Sequence, residues 1–456
     1  MRNLVLLAGL FTFCAAFAQP KSETKEVTFS KDVAPILFKS CVKCHHENDM
    51  APMSFTTYKE ARIWAGAIQD AVVKRRMPPW HADPAVGEFR DDPRLSDADI
   101  ATLVEWAKTG AKEGNPKDLP PLPEFSSGWH LQPDVILSIP ETAVSSAMHD
   151  DYQYFYIPTN FTEDRWVQAA EILPGARSVV HHAGVMVVDE ARAKQHMQTR
   201  DATQETKYRY RTGSVWHSKL DAPVVDDACA IPENSGPFAD DAIGYWSVQP
   251  AIYLPGHGPE IRPPGYALKI PKGSYLEVDV HYSNHSGKDT KDQTKIGLVF
   301  VREPVHYEVQ QYEMWNNFFL IPANHDNHRV TACSTLTKDV LALSYTAHMH
   351  FRGKSMRTEA LLPDGRRELL FNVPHYNFRW QQIYFLKKPL LLPKGTQLIV
   401  TAYFDNSKNN PLNPDPSKIL RWGEPSGEEM MGFWLQAADP RDLTKAAPPS
   451  PNVSSP

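Results

Sequence analysis

The stretch Gly114-Asn115-Pro116-Lys117-Asp118-Leu119-Pro120-Pro121-Leu122-Pro123 separates a helix-patterned region from a strand-patterned one. Its prolines fix φ and remove backbone donors, so residues 114–125 read as a stiff, exposed linker. Upstream, Val33, Ile36, Leu37 and Cys41 recur at helical spacing. A second helix is predicted from about Thr57 to Arg75, with Ala61, Trp64, Ile68, Ala71 and Val72 on one face. Ser96-Asp97-Ala98-Asp99 opens a third, a capping-type start that runs through Ile100, Leu103, Val104 and Trp106 to Gly110. A small all-α domain over 19–113 follows from this pattern.

Downstream of the linker the period changes. Val135–Ile139, Tyr154–Ile157, Val179–Val188, Tyr275–Tyr282, Ile296–Val301, Val340–Tyr345, Gln397–Phe404 and Gly432–Leu435 are short strand-like runs bounded by Pro, Gly, Asn and Asp. This all-β region is large for one sandwich, so two are expected, over 126–298 and 299–441. Residues 442–456, rich in Ala, Pro and Ser, read as a disordered tail.

Composition agrees with a multidomain soluble protein. The 456 residues exceed the roughly 100–200 that one domain takes. Apolar content is 42% and charged content 22%, and a net charge of −6 without a long basic run gives no reason to expect nucleic acid as a partner. Arg2, the apolar run Leu4 to Phe17 and the small-residue site Ala16-Phe17-Ala18 read as a signal peptide over 1–18, and the location as periplasmic or secreted. No segment approaches the ~18 apolar residues of a membrane-spanning helix. In an oxidising compartment Cys229 and Cys333 can form a disulfide.

Cys41-Val42-Lys43-Cys44-His45 is a C-x-x-C-H sequence. Two thioethers anchor the porphyrin and the adjacent His supplies an axial nitrogen, so one covalent haem c is expected, in a cytochrome c domain. Met77, in Met77-Pro78-Pro79-Trp80, is the expected sixth ligand, with Met50, Met53 and His81 as alternatives. A haem with Met and His ligands transfers one electron at a time, and it needs a redox partner.

Three histidine clusters lie in the β region: His181-His182, His281 at the end of Leu276–Tyr282, and His348-Met349-His350. On a strand, residues i and i+2 share a face, so His348 and His350 can bind one ion together. Adjacent His181 and His182 reach one ion only where the strand ends or bulges, and His281 from another strand would complete a three-imidazole site. Any one pair alone is as well explained by hydrogen-bonded core or surface residues. Three clusters together point to metal; imidazole sites suit copper or zinc, and an attached electron carrier favours copper.

The order H-H, V-x-V-H-Y, H-x-H and E-M over roughly 170–436 resembles the ascorbate-dependent type II copper monooxygenases, the family of peptidylglycine α-hydroxylating and dopamine β-monooxygenase. The resemblance implies two jelly-roll-like β domains facing each other across a solvent-filled cleft, each with one copper. It places an electron-relaying copper on His181, His182 and His281. A second copper, which binds dioxygen and hydroxylates a C–H bond, falls on His348, His350 and Met430, with Met431 the alternative; these three are the implied catalytic residues. Where the peptide-hydroxylating enzyme has an Arg before its H-x-H and a Tyr after its ligand Met, this chain has Thr346 and Trp434.

The sequence therefore predicts an exported copper monooxygenase with its own haem. Its partners would be dioxygen, a small-molecule or peptide-like substrate and an external electron donor. The alternative is a non-catalytic copper-binding or electron-transfer protein on the same fold.

Overall fold

A computed structural model describes residues 26–47, 51, 53–125, 128–147, 151–199, 223–232, 244–254, 258–423 and 426–443. The predicted leader, most of the predicted tail and Met50 lie outside these residues.

The protein is mostly β-sheet, with a small helical region at its N-terminal end. The helical module begins with a π-type turn, Phe29–Val33, that continues into the helix Ala34–Ser40. The predicted helix over 57–75 is two helices, Tyr58–Ile63 and Ala65–Val73. The break is at Trp64, whose φ of −99° and ψ of 5° leave the helical region. Both predicted starts are capped. Thr57 with Glu60 and Ser96 with Asp99 form reciprocal capping boxes, the second opening Asp97–Lys108. Phe29, Leu37, Ile68, Leu103 and Trp106 fill the module's core. The Pro-rich linker is largely exposed and ends with Phe125 stacked on His46, ring centroids 4.2 Å apart.

The β region has two cores that share one sheet. A ten-stranded sheet runs through Val135–Ser138, Lys295–Phe300, Arg165–Leu173, Tyr266–Ile270, Tyr307–Trp315, Gly432–Ala438, Val340–His348 and Ile383–Leu392, with Gly244–Ser247 and Glu260–Ile261 pairing alongside. It crosses the predicted boundary at 298/299 through the parallel pair Tyr266–Ile270 and Tyr307–Trp315. One half packs on a four-stranded sheet of Asp151–Pro158, Tyr275–Tyr282, Val180–Val188 and Ala251–Tyr253. The other packs on His328–Thr335, Gln397–Phe404, Gly353–Leu361 and Arg367–Val373. Cys229 and Cys333 form a disulfide, Cα atoms 5.0 Å apart, tying a short turn to this second sheet. The bond agrees with an extracytoplasmic location. Among the described residues no helix is long and apolar enough to cross a membrane.

One segment leaves the helical module. Residues 79–90 run as a strap along the Ile383–Leu392 edge strand: Arg90 N–H donates to Phe385 O at 2.7 Å, and Lys387 N–H to Glu88 O at 2.8 Å. Ala82 and Phe89 are buried within the second β core. Exposed apolar Phe and Trp side chains on a strap of this length would be costly, and here Trp80 and Phe89 both pack against Tyr384. The helical module is thus anchored to the second half of the β region upstream of its linker.

Candidate metal centres

The His181–His182–His281 group depends on a bulge. Val180–Val188 pairs antiparallel with Tyr275–Tyr282, His281 opposite His182. The next pair is Tyr282 with Val180, so His181 is the extra residue of a β-bulge. In a regular strand His181 would face away from His182; the bulge turns it back. One ligand atom from each of the three imidazoles lies within 4.8 Å of the others. His182 Nδ1 is 3.1 Å from His181 Nδ1 and 3.4 Å from His281 Nδ1. Convergent ring nitrogens of this kind are a three-coordinate imidazole set, which suits copper or zinc. Burial lowers the His182 pKa well below its ordinary value, and His281, His181 and then His348 and His350 push it further down. The imidazole is neutral at physiological pH, the state a metal needs.

His348 and His350 stand at the end of Val340–His348, beyond which the strand turns. Their rings are 5.2 Å apart and nearly perpendicular, at 84°. His348 Nε2 lies 3.2 Å from Met430 Sδ. Met431 points the other way and is fully buried in the core. On the opposite edge of the His348 ring, Nδ1 is 2.5 Å from Gln381 Oε1. Trp434 and Trp315 flank the ring at 5.2 and 5.9 Å. Desolvation behind these walls lowers the His348 pKa to about 4, with Gln381 acting against it. Two imidazoles and a thioether form a softer donor set than three imidazoles and favour Cu(I).

Sequence reasoning did not find the support beneath this centre. Glu429, fully buried, accepts from the backbone N–H groups of His350 at 2.9 Å and Arg352 at 2.6 Å. The buried Arg352 guanidinium donates to Gly427 O at 2.7 Å and Asn413 Oδ1 at 3.0 Å. Burial pushes the Glu429 carboxyl up to about 8, against the pull of Arg352. The network clamps the turn bearing His350 to the turn bearing Met430. The acidic residue before Met430 was the one available signal.

The two centres are close. Tyr152 stacks on His281 with ring centroids 3.9 Å apart, and its hydroxyl is 3.5 Å from Ser426 Oγ in the Met430 turn. At this point the expected cleft is bridged by a side chain.

Residues 309–431 match the family model of the copper type II ascorbate-dependent monooxygenase C-terminal domain. The family comprises oxidoreductases that use dioxygen. The match contains His348, His350, Met430 and Met431, and covers the C-terminal part of the span over which the motifs show their resemblance. No curated protein matches the chain. Among solved structures it is similar to PNGF-II at 11% identity and a TM-score of 0.25, covering 66% of this chain and 65% of that one, just under two thirds. It is similar to the VP2 subviral particle of infectious bursal disease virus at 6% identity, covering 70% and 75%, with a TM-score of 0.18. A two-domain protein of unknown function from Bacteroides fragilis gives 7% identity, 63% and 95%, and a TM-score of 0.14. At TM-scores this low none of them defines the fold.

Cys41, Cys44 and His45 share one turn after Ala34–Ser40, with the Cys44 and His45 N–H groups both donating to Cys41 O. Both cysteines lie outside the disulfide. Burial, then Cys44, pushes the Cys41 thiol up to about 12. A nucleophilic CxxC pair needs the opposite shift. His45 Nδ1 is 3.1 Å from Met53 O, which orients the ring in the way a haem-ligating His is oriented. The donor set fits a c-type haem. The Met53 contact is made by its backbone oxygen, on the ring edge away from Nε2. Met77 is half-buried at the root of the strap, and His81 lies on the strap, its pKa lowered by burial and by His375.

Proposed function

We propose that this chain is an exported copper-dependent monooxygenase whose electrons arrive through a c-type haem on its helical module. The observation that carries the reading is the pairing of two imidazole centres on one β scaffold, the second inside a stretch that matches a copper monooxygenase domain. Copper would supply one-electron redox steps and a site where dioxygen is reduced, one oxygen atom entering a C–H bond and the other leaving as water.

His181, His182 and His281 would hold the relaying ion, and His348, His350 and Met430 the ion that meets dioxygen. Gln381 Oε1 accepts a hydrogen bond from His348 Nδ1–H, leaving the Nε2 lone pair directed toward Met430. Trp315 and Trp434 keep water from one side of His348. Trp434 stands opposite Thr346 in the sheet register. A hydroxyl therefore stands where a peptide-hydroxylating enzyme carries its carboxylate-holding Arg, and an indole where it carries a Tyr, which favours a substrate bound through apolar contact. Cys41 and Cys44 would anchor the haem, with His45 and Met77 as axial ligands, reduced by an external donor.

The test is metal content with oxygen uptake. The purified protein should carry one haem and two coppers and consume dioxygen when reduced. His182→Ala and His348→Ala should each remove one copper and end uptake. Copper binding without uptake in the presence of candidate substrates would leave an electron-transfer or copper-binding protein. Two coppers retained in either variant would overturn the ligand assignment.

A further inference from the structure

Two adjacent glutamines sit where the helical module meets the His348 centre. Gln381 and Gln382 lead directly into the edge strand Ile383–Leu392. Gln381 Oε1 lies 2.5 Å from His348 Nδ1, while its Nε2 donates to Phe378 O at 3.3 Å. The second bond fixes the amide orientation, because the flipped amide would set an oxygen against the Phe378 carbonyl. With an oxygen facing it, Nδ1 must carry the proton, and Nε2 presents its lone pair toward Met430. Gln382 faces the other way, its Nε2 donating to Pro79 O at 2.6 Å.

The strap is well held at this contact. Asp83 N–H donates to Asn372 O at 2.8 Å, and Asn372 Nδ2 returns a bond to Asp83 Oδ2 at 2.9 Å. Phe89 forms an antiparallel bridge with Leu386. Trp80 packs edge-on to Tyr384 at 4.8 Å, and the Arg90 guanidinium covers the Phe385 ring at 4.7 Å. The strap thus covers the start of the strand that follows the two glutamines. The Gln382 side chain is tied to the strap, and Gln381 adjoins it on the backbone.

We propose that Gln381 is a positioning residue for the His348 centre and that Gln382 ties its setting to the docked strap of the helical module. The metal part of this statement rests on the function proposed above; the tautomer part does not. An imidazole held through its outer nitrogen is the better-aimed and more basic ligand, and loss of such a partner typically costs about 10–100-fold in metal affinity. Undocking of the helical module would therefore weaken the centre to which electrons must be delivered.

The test uses the full-length protein with 15N-labelled histidine, first metal-free and then titrated with copper against a competing chelator. Wild-type His348 is expected as the Nδ1–H tautomer. Gln381→Leu should lose that preference and weaken copper at the His348 centre by about 10–100-fold, leaving the three-histidine centre unmoved. Gln381→Glu, which keeps an acceptor, should restore both. Gln382→Ala should move the His348 ring signals and affinity in the same direction by a smaller factor. A wild-type tautomer in Gln381→Leu overturns the positioning role, and unmoved His348 signals in Gln382→Ala overturn the link to the strap. If wild type takes no copper at His348 while the tautomer responds as described, the functional reading fails and the positioning role stands.

Discussion

The three-histidine centre and the His348 centre are built by different means. The first is a backbone device: one extra residue in one strand brings His181 round beside His182, opposite His281. Burial, then the neighbouring imidazoles of His281 and His181, lower the His182 pKa. The second is held from outside. Gln381 fixes one imidazole, Glu429 and Arg352 clamp the turns that carry His350 and Met430, and a strap from the helical module closes over the adjoining edge. A centre made by register should survive loss of its surroundings. A centre made by a buried polar network should not.

The largest effect that can break this contrast is at Arg352. Its side chain is fully buried and bonds Gly427 and Asn413. Arg352→Met removes the cation beside Glu429. Loss of one partner from a buried charged pair costs roughly 3–5 kcal/mol. Burial lifts the Glu429 carboxyl to about 8 even with the guanidinium in place, so near neutral pH it is largely protonated and losing the cation strands little charge. The expected loss is therefore near the lower end, about 3 kcal/mol by urea denaturation. Copper should leave the His348 centre while the three-histidine centre keeps its ion. Equal loss from both centres would mean that the Glu429–Arg352 clamp supports both, and the contrast would fail.

What could be read from the sequence follows the same division. The capped helix starts at Thr57 and Ser96 and the strands Tyr275–Tyr282 and Gln397–Phe404 stand where their patterns put them. The histidines were visible because their side chains are rare and clustered, and the need for a bulge at His181 followed from the period of two. Arg165–Leu173 and His328–Thr335 went unread, because each mixes polar residues into a strand largely buried on both faces; Gly353–Leu361 went unread because charged Lys354, Arg357 and Glu359 break up its apolar residues. The strap over 79–90 also went unread. It has neither strand nor helix period, and its burial depends on a partner strand about 300 residues away in sequence. Arg352 looks like an ordinary surface charge until the fold buries it, and Glu429 shows only as the acidic residue before Met430. Gln381 carries no signal at all, since a glutamine before a strand is unremarkable.

A middle-sized effect should appear in the pH dependence of the metal-free protein. Burial holds the folded His348 pKa at about 4 and lowers that of His182, against about 6.5 for an unfolded histidine. Between those values the unfolded chain binds more protons, so stability falls on acidification. The contribution is fully present above pH 6.5 and is lost as pH drops toward 4. Its steepest slope is about 1.4 kcal/mol per pH unit for each group. Urea midpoints measured from pH 4.5 to 7 should show this slope, and His348→Asn should flatten it in part. An unchanged slope in that variant would place the whole effect at the three-histidine centre.

The smallest effect separates two neighbouring methionines. Met430 is half-buried with its sulfur 3.2 Å from His348 Nε2, whereas Met431 is fully buried beside Phe433 in the second core. Leu is close to Met in volume, so either replacement should cost under about 1.5 kcal/mol. Met430→Leu keeps two imidazoles and loses the soft ligand, so Cu(I) affinity should fall while Cu(II) still binds. Met431→Leu should leave both copper states as they are and show only the small packing cost. Cu(I) competition titrations on the two variants, with thermal melts alongside, decide between them. A fall in Cu(I) affinity with Met431→Leu alone would mean that the 430–431 turn reverses when metal binds. The thioether would then come from the core rather than from the clamped turn, and the His348 centre would depend on rearrangement instead of a prebuilt network.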